Sequence, residues 1–226
     1  MQADFSVELG GDAPALEIPW RSDDSHVRYY DLKNHPELVQ QIPEAVAYPE
    51  LGSFLSRISA PGFPLASAKC DVWLSNEVAP EEEIFGDRKF VSYIDLVFVD
   101  EVDRCSLEKH EAFAKELCRL LGHAPEIAAT VELVIRHSYY HQENMARPRD
   151  MVASQDKQPQ SEDRYPLENN SLRKDSTDSS VGFCITAYVT GFGDAEREPV
   201  GLWTIGLNLL QHAMVQLNRN SLPKYR

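Results

Sequence analysis

Cysteine, basic charge and long apolar runs are all scarce in this chain, and each shortage removes a class of function. Four cysteines, Cys70, Cys105, Cys118 and Cys184, occur among 226 residues and form no C-x-x-C pair. A zinc knuckle and a thioredoxin-like redox motif are therefore absent, and reduced, buried thiols are expected. No run approaches the roughly 18 apolar residues of a membrane-crossing helix, and residues 1–14 carry acids where a secretory signal has its apolar core. These features lead to the expectation of a cytosolic protein that does not engage membranes. Only 22 basic residues stand against 36 acidic ones, a formal charge of -14 that repels phosphate backbones and anionic lipid. Nucleic acid is accordingly not an expected partner.

Catalytic signatures are missing too. Nothing matches a P-loop, a nucleophile elbow, an H-E-x-x-H zinc helix or a kinase set. Gly191 and Gly193 form a lone G-x-G, which reads as a strand-end turn using glycine's access to positive φ. His137 and His141 lie four apart in a segment rich in β-branched and aromatic residues. On a strand they would be roughly 13 Å apart, too far to share one metal, so no metal is assigned. No cofactor is assigned either.

What is present is 42% apolar content, enough for a core of ordinary size. Residues 1 to about 35 show no sustained periodicity, yet Trp20, Tyr29 and Tyr30 are large side chains for a loose tail. An ordered arm is expected there, followed by short helices opening at Pro36 and Pro49. In the second of these, Leu51, Phe54, Leu55 and Ile58 make one apolar stripe. From Ala68 the period becomes two, with Cys70, Val72 and Leu74 on one side and Lys69, Asp71 and Trp73 on the other. A second strand covers Phe90 to Asp100. Ser106 suits a helix N-cap and Gly122 its stop, and His110 lies on the apolar side of that helix as a core histidine. A third strand runs from Ala129 to His141. Residues 142–180 are polar and poor in large aliphatics, and read as a flexible insertion. A fourth strand covers Phe183 to Val189, and the helix from Pro199 is apolar around most of its girth, being either the most buried helix or one covered by a partner.

The expected fold is α+β: a mainly antiparallel four-stranded sheet from a possible ββα duplication (67–122 and 128–218), with two long helices on one face. The N-terminal segment 1–66 is expected on the other face as an arm with short helices. That second face would display Trp73, Tyr93, Asp95, Glu132, Arg136, Tyr140 and Tyr188, the mixture of aromatic area and orienting charge found in ligand grooves and interfaces. Asp95, a carboxylate inside an apolar run, needs a partner, and Arg136 or Lys69 could supply it. Arm coverage, a subunit interface and a ligand groove are all open readings of this face. The function expected first is a non-catalytic binding or interaction module, homo-oligomeric. The alternative is an enzyme on a small anionic substrate, with Asp95 or Glu132 as acid/base and Arg136 orienting the anion. A third reading makes the acidic surface an inhibitor of a basic partner.

Overall fold

Period-two patterning begins with the first residues of the chain. Ala3, Phe5 and Val7 alternate with Asp4, Ser6 and Glu8, and this stretch forms a strand. The computed structural model describes residues 1–20, 28–141 and 179–221. Over these the elements are β1 (Gln2–Glu8), β2 (Leu16–Ile18), α1 (Pro43–Ala47), α2 (Pro49–Ser59), β3 (Leu65–Ser75), β4 (Arg88–Phe98), α3 (Glu101–Arg104), α4 (Leu107–Leu121), β5 (Ala129–His141), β6 (Ser179–Gly193) and α5 (Glu198–Ser221). Short 3-10 turns occupy Pro36–Gln41 and Glu83–Phe85. Of the expected flexible insertion, residues 142–178 lie outside the described residues. Ser179 and Ser180 belong to β6, opposite His141 and Tyr140.

The expected four-stranded, mainly antiparallel sheet is corrected to a mixed sheet of six strands in the order β1-β5-β6-β4-β3, with β2 also on β5. Strands β3, β4, β6 and β5 are antiparallel to their neighbours, whereas β1 and β2 pair with β5 in parallel. Gln2–Glu8 and Leu16–Ile18 are therefore strands of the sheet, whereas Tyr29, farther along, packs against the cluster of Ala68, Val97, Tyr140 and Cys184 on the face away from the helices. The physical reason lies in β5, which without these two strands would present a long row of unpaired backbone groups. β1 takes Thr130 to Arg136 and β2 takes Ser138 to Tyr140, so the two together close that edge. The opposite edge, along β3, has no strand beside it among the described residues.

The expectation of two long helices on one face and short ones on the other is corrected as well. Three helices exceed seven residues, α2, α4 and α5, and all three share one core with the sheet. Leu51, Phe54, Leu55 and Ile58 of α2 are fully buried in the same cluster as Leu65, Ile94 and Leu96 of the sheet. Each such burial stabilises by roughly 1.5–3 kcal/mol, a gain that solvent on an open face would not offer. α5 touches both α2 and α4 while lying on β6, β4 and β5, which accounts for its apolar girth within one chain.

Local chemistry agrees with the sequence at the ends of α4. The Ser106 hydroxyl accepts from the Lys109 amide at 3.2 Å, and Gly122 follows the last turn. His110 is a core histidine, its ring nitrogens 2.7 and 3.2 Å from the carbonyls of Ser106 and Phe183. Gly191 and Gly193 do not make a positive-φ turn: both lie in β6, and close backbone approach is what they permit.

Candidate functional site

Alternation along the strands sends every second side chain to the face away from the helices. Register places Asp71, Tyr93, Tyr188, Glu132 and Asp4 in one row across that face. Lys69, Asp95, Thr186, Val134 and Ser6 form the next row. The rings of Trp73, Tyr93 and Tyr188 follow one another at 6.3 Å centroid spacing.

Arg136 lies at the end of this aromatic row. Its guanidinium sits 5.7 Å from the Tyr188 ring centroid and donates to the Tyr188 hydroxyl at 3.1 Å. Its Nε and Nη2 donate to Glu8 Oε2 at 3.1 and 3.0 Å. Glu8 lies outside the residues expected on this face, because the alternation of β1 is too short to mark it as a strand of the sheet. This pairing leaves Arg136 neutralised, a poor anchor for an anionic substrate.

Asp95 is 7% exposed and accepts from the Thr186 hydroxyl at 2.6 Å. Thr186 in turn accepts from Arg136 Nη1 at 3.4 Å, so a threonine stands between the two charges. Burial holds the Asp95 carboxyl above its ordinary value, while the Thr186 hydrogen bond and then the charges of Lys69 and Arg136 pull it down. The folded state thus holds this proton more tightly than the unfolded chain. Asp95 contributes stability below the ordinary carboxyl range and loses it as pH rises through the raised folded value. An Asp95→Asn variant is therefore expected to melt at a higher temperature than wild type near pH 7. The difference should vanish at about pH 3, below the ordinary Asp value near 3.9; melting curves at the two pH values check this.

The remaining foreseen residues divide. Trp73, Tyr93 and Tyr188 stand together with Asp95 and Arg136. Glu132 is exposed in the same row, with no ion-pair partner among the described residues. Tyr140 is apart from them. It is 4% exposed, donates to the Phe183 carbonyl at 2.9 Å, lies under the Arg104 guanidinium and joins a small cluster with Ile18, Ala68, Val97 and Cys184.

Sequence reasoning missed a cavity of about 360 Å³ at the free edge of β3. A bulge between Ser67 and Lys69 shifts the register there. Beside it the Ala68 carbonyl accepts from the Trp20 indole N–H at 2.8 Å. The floor is apolar, from Leu32, Ile42 and Leu55 with Cys70. The rim carries the rings of Trp20, Tyr30 and Tyr93 and the charged groups of Arg28, Lys69, Glu44 and Asp71. Lys69 Nζ lies 5.5 Å from the Trp20 ring centroid and 5.9 Å from that of Tyr93, and the Arg28 guanidinium 5.1 Å from that of Tyr30. The Cys70 thiol is pushed up to about 12 by burial and then by the charges of Glu44, Asp71 and Asp95, which keeps it protonated and unreactive. The signal available in sequence was the cluster of Trp20, Tyr29 and Tyr30, but nothing there says which wall they build.

The chain matches no protein-family model, no curated protein and no solved structure. Among the described residues, no group of three His, Cys, Asp or Glu could hold a metal ion, and no helix is long and apolar enough to cross a membrane.

Proposed function

We propose that this protein is a non-catalytic binding module that takes a small molecule into the cavity at the free edge of β3. The observation that supports this reading is the cavity itself. Its volume of about 360 Å³ falls in the range of about 300–1,000 Å³ usual for small-molecule pockets. An apolar floor under a rim of aromatic and charged groups is the division such sites use, with area below and orientation above. The Trp73, Tyr93 and Tyr188 row extends from the same rim, since Tyr93 belongs to both. We place the protein in the cytosol, where its four free cysteines would stay reduced. Homo-oligomerisation through the β3 edge belongs to the same reading, because Trp73 and Leu74 are 39% and 51% exposed on a strand whose outer edge has no neighbour among the described residues.

The enzyme reading keeps one observation in its favour, the Asp95 carboxyl raised by burial despite the opposing charges of Lys69 and Arg136. It is the weaker of the two. Asp95 does not line the cavity, and the cation assigned to orient an anion is held by Glu8.

A panel of small amines, carboxylates and neutral aromatics, read by thermal shift, tests the proposal. At least one class should raise the melting temperature of wild type. That shift should disappear in Trp20→Ala and Tyr93→Ala proteins and persist in Trp73→Ala. No stabilisation by any class, or a shift that survives loss of Trp20 and Tyr93, would overturn it.

A further inference from the structure

We infer that the ligand of this cavity is an organic cation, an amine or quaternary ammonium carried on a small apolar body. The inference rests on the cavity being a ligand site and assigns its chemistry.

The argument begins with the rings. Trp20, Tyr30 and Tyr93 border one space, and cations already stand over all three: Lys69 within 6 Å of two ring centroids and Arg28 within 6 Å of the third. The face of an aromatic ring carries the negative part of its quadrupole, so these are positions that attract positive charge and repel negative charge. The chain's own side chains use them. Both are exposed, and Lys69 ends a flexible four-carbon stem that can turn out to water.

The carboxylates point the same way. Glu44 and Asp71 line the cavity with no basic side chain in ion-pair range among the described residues. Their charges, with that of Asp95, all bear on Cys70 at the cavity wall. A ligand cation entering between the rings would gain these two carboxylates as partners, and its apolar body would cover Leu32, Ile42 and Leu55. A ligand anion would meet ring faces and two carboxylates, with only Lys69 and Arg28 among the described residues to hold it. The formal charge of -14 adds a long-range field that draws cations toward the protein.

Lys69 is therefore an internal competitor, and the sign of its removal decides the matter. The site is competent for a ligand cation only in the fraction of molecules whose Lys69 has turned away, and apparent affinity is reduced by that fraction.

The experiment is calorimetric titration with three soluble compounds that share one body: 2-phenylethylammonium, 2-phenylethanol and phenylacetate. The ammonium should bind at least about tenfold more tightly than the other two. Lys69→Met should tighten ammonium binding, by roughly three- to tenfold. Glu44→Gln and Asp71→Asn should each weaken it about threefold or more. Melting temperatures near that of wild type establish that the variants are folded. Tighter binding of phenylacetate, abolished by Lys69→Met, would overturn the cation while leaving the cavity as a ligand site. Equal affinity for 2-phenylethanol and the ammonium would likewise overturn it. Failure of all three to bind would overturn both the cation and the cavity reading.

Discussion

A Trp203→Ala variant will lose about 4 kcal/mol of stability, the middle of the range for removing a large aromatic from a core. Trp203 is fully buried at the point where α5 meets the sheet. Its ring meets Phe90 edge-on at 5.0 Å and Tyr48 at 5.7 Å, joining α5 to β4 and to the residue that opens α2. The indole N–H donates to the Ser92 hydroxyl at 2.9 Å, and Ser92 is itself 0% exposed. Truncation leaves both a void and a buried hydroxyl without its donor, the latter costing about 1–3 kcal/mol by itself. The comparison that separates the two is Trp203→Phe, which restores much of the ring and none of the hydrogen bond. Urea unfolding should place the alanine variant far below wild type and the phenylalanine variant between them. Equal midpoints for alanine and wild type would mean that α5 does not seat on β4 as described.

The second large effect is expected at Gly191, where alanine should cost about 3 kcal/mol, the upper end of the usual range for overpacking, or prevent folding outright. A Cβ there would strike the Pro199 carbonyl oxygen and the Trp203 backbone nitrogen. These are backbone atoms in the first turns of α5, and β6 cannot yield because it is hydrogen-bonded on both sides, to β4 and β5. The absence of a side chain is what lets the helix start lie directly on the strand. Gly201 supplies the control. It faces open space on the outer side of the same helix, so Gly201→Ala should leave the fold intact and add up to about 1 kcal/mol of helix propensity. Parallel urea titrations of the two variants check the contrast.

Much of this architecture was legible where one period ran long enough to be counted. β4, β5, the later part of β6, α4 with its Ser106 cap and the apolar stripe of α2 all follow from alternation, capping and helical spacing. The parts that were not legible depended on pairing partners far away in sequence. β1 has only three apolar residues in alternation, and nothing in them specifies that they lie parallel to β5. Missing that edge also hid Glu8, and with it the pairing that removes Arg136 from the list of free cations. α2 showed its apolar stripe but not its side, because a stripe states that a helix is buried and not against which face.

The candidate site was legible in one respect and hidden in another. Alternation alone brought Trp73, Tyr93, Asp95, Arg136 and Tyr188 onto one surface. The cavity needed three further things: the bulge at Ser67 and Lys69, the reach of Trp20 to the Ala68 carbonyl, and the floor of Leu32, Ile42 and Leu55 drawn from segments of different period. None of these is a repeat, so no count of spacings could find them.

The three tryptophans stand in three different places: Trp20 on the cavity rim, Trp73 on the open face and Trp203 in the core. Recording their indole N–H resonances during titration with each of the three phenylethyl compounds tests most directly whether the β3-edge cavity is the binding site. The account predicts that the Trp20 resonance moves saturably with at least one of them while that of Trp203 stays in place. Saturable binding that leaves Trp20 unmoved, or no movement of any indole with any compound, would contradict it.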